Sequence, residues 1–491
     1  MATAVVKDDG AIHFGFHRSN YSQLSLHLLL AVLIGVTLRL TTFKEATDSD
    51  ITNQIGDKYV VKTSFLVSFG FTKALSNLLV GRVSDVYGRK LAHTLGWGFG
   101  VILGGLLLGL AWSVTNNEKE EEESAATLWI WYVGANICLG AQQGWTWTTN
   151  IFMFLDILGP ENRAMASAIS NSAGYLTSAV TTYAAAALST KEAFWWVLGS
   201  SLLGCAVSFF LVKDTTPFVH QEEANIHSQR RIPIPQQEMV DLQSTFPPQA
   251  EEDQLRLVHP QGGEYATTIP TKPSPSSFGA VFVTTCWYNP SAAVLCWGGL
   301  TANLVTSLAW GLVLIWGAQQ GLSTLQLAHI GSAFTLTKGT AMLVSGYCSD
   351  RIARRKVVLI AGYLVAALGL LVTAGADNDN SNDLAAIYNR LLWGGIIIGS
   401  GIGSVYCILT AGLSDHTPPQ DRASAIGRNS RFNKCKRQHC FKSSLSTTET
   451  APTKLLAEPK NPRDELLRLF ASDDRFNQFC WSQTLKQEIN P

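Results

Sequence analysis

Charged residues are scarce in this chain. Asp, Glu, Lys and Arg make up only 15% of its 491 residues, whereas hydrophobic residues make up 46%. Soluble domains carry more charge, so this composition excludes an ordinary set of soluble domains and favours a membrane protein. Acidic and basic residues are equal in number, and the resulting net charge of zero says nothing about partners.

Cysteine is also sparse. Nine cysteines are scattered along the chain, mostly within apolar stretches, which excludes both a disulfide framework and a zinc knuckle. Cys435, His439 and Cys440 lie close together near the chain end. Because no second pair of ligands accompanies them, we interpret them as ordinary tail residues rather than as a metal site.

Motifs of membrane-bound enzymes are missing. The sequence has no Walker loop for ATP hydrolysis, no Gly-x-Ser-x-Gly turn and no His-Glu-x-x-His motif. We therefore predict that the protein is not an enzyme, and we predict no cofactor, no metal and no nucleic-acid partner. The first twenty residues are polar and the first apolar run is long enough to span a bilayer, so no cleavable signal peptide is predicted.

Ten apolar stretches dominate the rest of the sequence. Each has roughly 18 or more residues with few charges, and a helix of that length crosses a hydrocarbon core of about 30 Å. Glycine is frequent inside them, as at Gly96, Gly100 and Gly104, which suits helices that pack closely in lipid. We predict an all-α membrane bundle with spans at 24–43, 64–80, 91–112, 128–154, 164–188, 193–212, 291–317, 327–346, 357–375 and 388–412.

A polar segment divides these spans into two halves. Residues 214–290 are rich in proline and hold too little apolar sequence to form a core, so we predict a disordered linker there. It separates a six-helix half, 21–213, from a second half, 291–427, with four clear helices and the start of an eleventh. Residues 1–20 and 428–491 are predicted tails. The turns at 85–90 and 350–356 are basic, which predicts that they, the N-terminus and the linker are cytoplasmic.

Two pairs of matching segments indicate that the halves are repeats. The segment TKALSNLLVGRVSD at 72–85 aligns without a gap with TKGTAMLVSGYCSD at 337–350. Likewise, DILGPENRAMA at 156–166 aligns with DHTPPQDRASA at 415–425. Both pairs occur in the same order and at nearly the same offset, so we predict a duplicated membrane module.

These residues resemble the major facilitator superfamily of transporters. Its signature, Gly-x-x-x-Asp-x-x-Gly-Arg-[Lys/Arg] after the second helix, matches Gly81, Asp85, Gly88, Arg89 and Lys90, and a degenerate second copy comprises Gly346, Asp350, Arg351, Arg354 and Arg355. Stretches such as NICLGAQQGWTW and DRASAIG are similar to a drug-efflux-like branch of unassigned substrate. The resemblance implies a bundle built from two parallel repeats, and secondary transport of a small-molecule substrate across a lipid bilayer by alternating access.

The same resemblance implies that the two signature turns act as a conformational latch. In the superfamily such a turn meets the start of helix 11 in one transport state and releases it in the other, a role implied here for Asp85 and Arg89. Gly81 leaves room for two helices to touch, Gly88 permits a tight turn, and the carboxylate of Asp85 has cationic neighbours. For Lys90 a simple positive-inside anchor is the alternative.

Two lysines and one arginine lie deep within the predicted spans. Lys73 precedes Gly81 by eight residues, about 12 Å along a helix, and Lys338 stands at the equivalent place before Gly346. An ammonium at that depth needs a wet cavity or a partner, so we predict a place in the central cavity or between the halves, with snorkelling as the alternative. Arg39 aligns with a basic position of the similar branch, although Leu38 replaces the acidic neighbour that is usual there. We predict that Arg39 contacts the cavity, and because it lies near the outer boundary, an interfacial arginine is the alternative.

Polar stripes on two helices complete the cavity candidates. The fourth span carries Asn136, Gln143, Trp147 and Asn150 at helical spacing, and the seventh carries Asn303 and Trp310. We predict that they line a site between the halves, with hydrogen bonding between neighbouring helices as the alternative. Apart from Asp156 and Glu192 at span ends, no acidic residue falls inside the ten spans. Proton antiport is therefore not supported, and the embedded cations allow an anionic or polar substrate.

The second repeat stops early. After DRASAIG the sequence carries charges every few residues, and no later window could span lipid, so helices 11 and 12 of the superfamily pattern are missing. We predict a chain truncated or altered at Gly427 through a changed reading frame, a retained intron or an isoform. The alternative function is a non-transporting binding, sensing or regulatory derivative. The oligomeric state stays open.

Overall fold

The structure, a computed structural model, describes residues 12–47, 58–116, 121–230, 290–352, 355–375 and 383–416. Within these residues the regular structure is entirely helical. Several predictions lie outside the described residues: those for Arg354, for the start of an eleventh helix, for the Cys435–His439–Cys440 group and for the polar tail. The division at residue 428 is likewise untested.

The part of the N-terminal half that the structure describes contains six long helices. They are α1 Tyr21–Thr47, α2 Lys58–Tyr87, α3 Arg89–Asn116, α4 Glu121–Leu158, α5 Arg163–Ala187 and α6 Thr190–Phe210. Most extend past the predicted apolar span, because hydrogen bonding along a helix continues into polar residues that hydropathy does not count. Helix α1 runs four residues beyond the predicted end at residue 43 and so includes Glu45.

Within the described residues, four passes form the second half. They consist of α8 Pro290–Ser307, a π-helical turn at Leu308–Leu312, α9 Val313–Gln319, α10 Thr324–Ile352, α11 Arg355–Ala374 and α12 Leu384–Asp415, with α8, the π turn and α9 making one pass. Six of the ten passes are long and apolar enough to cross a membrane by length and composition alone. The other four, α2, α4, α5 and α10, are more polar because they carry the inward-facing side chains described below.

The halves meet along α5 and α10. At one level Ser172 donates to the carbonyl of Gly339 (2.7 Å), and farther along Ser332 donates to the carbonyl of Ala179 (2.9 Å). A Cβ on Gly346 would come within 2.6 Å of the Ala168 Cβ, so only glycine lets the two helices approach so closely there. We call this contact surface, with the side chains that enter it from α1, α2, α4 and α8, the seam.

Both signature turns lie at the same end of the bundle. In the first turn, Arg89 pairs with Asp156 at the end of α4. In the second, the carboxylate of Asp350 accepts from the backbone N–H of Ala164 at the start of α5. Because Asp156 and Ala164 are joined by one short connection, the two turns are neighbours. Parallel repeats require this arrangement. We call this the latch end and the opposite one the distal end.

The polar linker begins with a helix, which differs from the predicted disorder. Helix α7, Thr216–Arg230, docks at the latch end, where Val219 is buried and the Phe218 ring lies edge-on to Phe14 at 5.9 Å. Its Glu222 pairs with Arg163 (2.6 Å). Composition failed to indicate the helix because its stability comes from docking on the bundle rather than from a core of its own. Residues 231–289 lie outside the described part.

Candidate functional site

The first signature turn is built around a buried arginine. Arg89 is 3% exposed, and its guanidinium pairs with Asp85 (2.7 Å) and with Asp156 (3.1 Å). Asp156 also accepts a hydrogen bond from the Thr215 hydroxyl (2.8 Å). These groups therefore tie the ends of α2, α3, α4 and α6 into one unit. The predicted contact of Asp85 with an eleventh helix involves residues outside those described.

Glycine is required at position 88 for two independent reasons. Its φ of 95° lies in the left-handed region, which strains residues with a side chain. A Cβ there would also collide with the Asp214 carboxylate. That carboxylate accepts from the backbone N–H of Arg89 (3.2 Å) and of Thr216 (3.2 Å), so it joins the turn to the start of α7 and has little freedom to move away. Gly81, which lies on α2 seven residues before Gly88, is buried.

We expect Gly88→Ala to lower the free energy of unfolding by about 1–3 kcal/mol, through backbone strain and loss of the Asp214 position. The measurement is the thermal midpoint of the purified protein in detergent. Gly98→Ala is the matched control, since a Cβ on Gly98 in α3 meets nothing within 4 Å. Equal midpoints for the two variants would contradict the prediction.

The second signature copy bridges the two halves. The carboxylate of Asp350 accepts from the backbone N–H of Ala164 (3.2 Å) and Met165 (2.8 Å), in the first turn of α5. A helix N-terminus carries a partial positive charge, so the acid is well placed there. Arg355 lies 3.6 Å from Asp350 and also pairs with Asp415. Arg351 is exposed, over the Tyr347 ring.

Arg163 closes the latch end, and its role was missed in the sequence. Its guanidinium pairs with Glu222 of α7 (2.6 Å) and Asp415 of α12 (2.9 Å), and it donates to the Ser414 carbonyl (3.1 Å). It thus connects the N-terminal half, the linker helix and the second half. The repeated segment at 156–166 contains this arginine, but the segment alone does not show which acids face it.

Lys338 lies buried at the seam. Its ammonium donates to the hydroxyls of Tyr175 on α5 (2.9 Å) and Thr306 on α8 (2.9 Å). It also lies 4.1 Å from the centre of the Tyr175 ring. Lys73, the equivalent residue of the first repeat, is half-buried, and its ammonium lies 5.6 Å from the Phe69 ring centre and 5.7 Å from that of Trp147.

Arg39 enters the seam from α1. Its Nε donates to the Thr182 hydroxyl (2.6 Å), and its guanidinium lies 5.3 Å from the ring centre of Phe43 and 5.9 Å from that of Trp310. Trp310 stands in the π-helical turn of the second half. Single π turns of this kind are often found at functional sites, because the extra residue re-aims the side chains around it.

Aromatic rings connect the three cations. Trp310 lies edge-on to Phe69 at 6.2 Å, and Trp147 lies edge-on to Tyr175 at 5.1 Å. A line of rings therefore runs from Arg39 past Lys73 to Lys338. Five of the predicted cavity residues converge in this way, and we call them the seam cluster: Arg39, Lys73, Trp147, Trp310 and Lys338.

The remaining cavity candidates bond mainly within their own half. Asn136 donates to Glu45 (3.0 Å), Gln143 donates to Gln142 (2.6 Å), and Asn150 donates to the Ser170 hydroxyl (3.1 Å). Asn303 is exposed and donates to the Gly299 carbonyl (2.9 Å) on its own helix. These bonds fit the alternative of helix–helix packing better than a cavity lining. A crevice beside Trp147 and Asn150 is too narrow to admit water.

Glu45 corrects the expectation that acidic residues are confined to two span ends. It lies on α1, is 2% exposed, and accepts from Asn136 of α4. Hydropathy alone ended the first span at residue 43, two residues before this acid. A buried carboxyl group is thus present among the helices, so the argument from absence against proton coupling does not hold.

Comparison with known proteins places these features in context. The family model described as Major Facilitator Superfamily matches residues 49–289 and 295–433. No curated protein matches the chain. The structure of the proton:xylose symporter XylE bound to 6-bromo-6-deoxy-D-glucose is similar, with a TM-score of 0.55 and 14% identity over 83% of this chain and 85% of that one. The human organic anion transporter MFSD10 matches with a TM-score of 0.44 and 14% identity over 84% and 97%.

Proposed function

The chain belongs to the major facilitator superfamily, and from that membership we propose that it is a secondary transporter which moves a small solute by alternating access. The observation that carries the proposal is the seam cluster, in which charged and aromatic side chains from both halves converge between the two ends. The family consists of transporters and not of enzymes, so the prediction that the protein is not an enzyme is confirmed. It is an integral, multi-pass membrane protein.

Contacts between the described residues cross the seam near both of its ends, which supports an occluded state of a transport cycle. The latch end is held by Asp350 on α5 and by Arg163 on Asp415. Near the distal end, the Tyr183 ring lies 5.6 Å from that of His329, and Arg39 packs on Trp310. Alternating access requires each set of contacts to break while the other holds.

We assign the latch end to the cytoplasm. Arg82, Arg89 and Lys90 in the first turn, together with Arg351 and Arg355 in the second, concentrate positive charge at this end, as the positive-inside rule demands. The signature turns would then act as the latch, with Asp350 holding the halves together directly.

Alternating access can be tested before a substrate is known. Spin labels on a cysteine-free background at Glu161 and His416, both exposed beside Arg163 and Asp415, report the latch end. Labels at Ala187 and Leu325, both exposed, report the distal end. We expect pulsed-EPR distances in lipid to show two populations at each end.

The two ends must also respond in opposite senses. A variant or solute that lengthens the first distance should leave the second one short, and the reverse should hold for a change at the distal end. A single fixed distance at both ends under every condition tested would refute alternating access and would favour a non-transporting binding or regulatory protein instead.

A further inference from the structure

Arg39 is a buried cation without an acidic partner among the described residues. It is 1% exposed, and only its Nε has a hydrogen-bond acceptor, the Thr182 hydroxyl. Both terminal nitrogens are buried and lack a partner in the described part of the chain. A guanidinium in this state has lost its hydration without gaining a counter-charge. That is unfavourable unless another group accepts hydrogen bonds from its terminal nitrogens. The two free nitrogens form the fork that binds a carboxylate through two parallel hydrogen bonds.

Glycine and aromatic rings surround this fork. Gly331 of α10 faces the fork, and a Cβ there would overlap the guanidinium. Phe43 and Trp310 flank it, and Phe69 continues the aromatic surface toward Lys73. Because Arg39 belongs to one half while Trp310 and Gly331 belong to the other, a ligand bound here would contact both.

The other charges of the seam have the same sign. Among the salt bridges of the described residues, none involves Arg39, Lys73 or Lys338. Lys338 already donates to two hydroxyls, whereas the ammonium of Lys73 faces the rings of Phe69 and Trp147. A cationic solute would be repelled here, and a neutral one would leave the guanidinium without a counter-charge.

On the basis of the proposed transport function, we propose that the seam binds an amphipathic organic anion. The terminal nitrogens of Arg39 donate two hydrogen bonds to one carboxylate of the solute, whose apolar body packs on Trp310 and Phe69. Lys73 supplies charge for a second acidic group, and Lys338 adds positive potential through the seam. Binding holds the two halves together on the solute because side chains of both halves contact it.

Matched carboxylates and amides test this proposal on the purified full chain. The panel consists of aromatic and aliphatic mono- and dicarboxylates, each paired with its neutral amide, with phthalate, benzoate and benzamide as the reference set. The measurement is the shift of the thermal midpoint with ligand concentration. We expect the affinity to fall in the order phthalate, benzoate, benzamide, because each step removes one charge that the seam can pair.

Variants then assign the effect to residues. Arg39→Gln should weaken benzoate binding about tenfold or more, and Arg39→Lys should restore only part of it because an ammonium has no fork. Lys73→Met should reduce the preference for phthalate over benzoate. Gly331→Ala should weaken benzoate binding by displacing the guanidinium without removing charge. Lys213→Met, at an exposed lysine after α6, is the control and should leave every affinity unchanged.

The results separate this inference from the transport proposal. If no carboxylate stabilises the chain more than its amide, or if Arg39→Gln keeps the full preference for anions, the anion site is wrong. The EPR distances can still show two states in that case, and transport would then involve another class of solute. Conversely, anion binding that depends on Arg39 with fixed distances at both ends would support the site and reject transport.

Discussion

Replacing Arg89 by methionine is expected to lower the free energy of unfolding by about 3–5 kcal/mol, the largest effect of a single substitution in the first half. The reason is that Arg89 pairs with Asp85 and Asp156, and both acids would be left without their cation. Asp156 is 1% exposed and has no access to water that could replace the lost charge. The midpoint of thermal or denaturant unfolding in detergent measures the change.

Two further variants identify the cause. Arg82→Met removes a half-buried cation from the same turn for which the described residues show no ion pair, and it should shift the midpoint little. Adding Asp85→Asn and Asp156→Asn to Arg89→Met should recover a substantial part of the lost stability, since the two carboxylates that paired with Arg89 are then replaced by neutral amides. A triple variant no more stable than Arg89→Met would show that the loss comes from packing and not from charge.

Replacing Arg163 by methionine is expected to open the latch end. The substitution removes two ion pairs that join the N-terminal half to α7 and α12, and it takes this cation away from the buried Glu222. A tenfold shift of the equilibrium between the closed and the open latch end corresponds to about 1.4 kcal/mol. The loss of two charge-assisted hydrogen bonds is expected to exceed that energy and to favour the open end. The label pair at 161 and 416 should therefore report mainly the longer distance.

Arg351→Met is the matched control for this result. Arg351 lies at the same end but is exposed, and it stacks on Tyr347 of its own helix rather than across the seam. It should leave the distance distribution unchanged. Adding Glu222→Gln to Arg163→Met should restore stability in part while the latch end stays open, because the carboxylate that lost Arg163 is then neutral but the bridge to α12 does not return. An unchanged distance in Arg163→Met would contradict the prediction and would show that Asp350 keeps the latch end closed without Arg163.

The fold was predictable because it depends on features that are local in the sequence. Apolar length defined the ten passes, and the paired segments at 72–85 and 337–350 placed the repeats in parallel. The ends of the passes were less predictable. Glu45 shows why: a helix continues as long as its backbone bonds are made, and hydropathy does not detect where that stops.

The candidate site was predictable only in part. Spacing placed Lys73 and Lys338 at equivalent depths, and the structure brings both to the seam with Trp147 and Trp310. The polar stripe on α4 does not show which of its residues face the other half. Trp147 faces the seam, whereas Asn136 and Asn150 bond to neighbouring helices. Helical periodicity defines a face, but not which neighbouring helix that face contacts.

By itself, the sequence determined the class of protein, the number of passes in the described part and the duplication, because these follow from composition and from repeats along the chain. The tertiary structure alone decided which charges are paired. Arg89 and Arg163 meet acids that are far away in sequence, while Arg39 meets rings, a hydroxyl and a bare glycine. Pairing depends on distances of a few ångströms between side chains from different helices, and no pattern along one helix contains those distances.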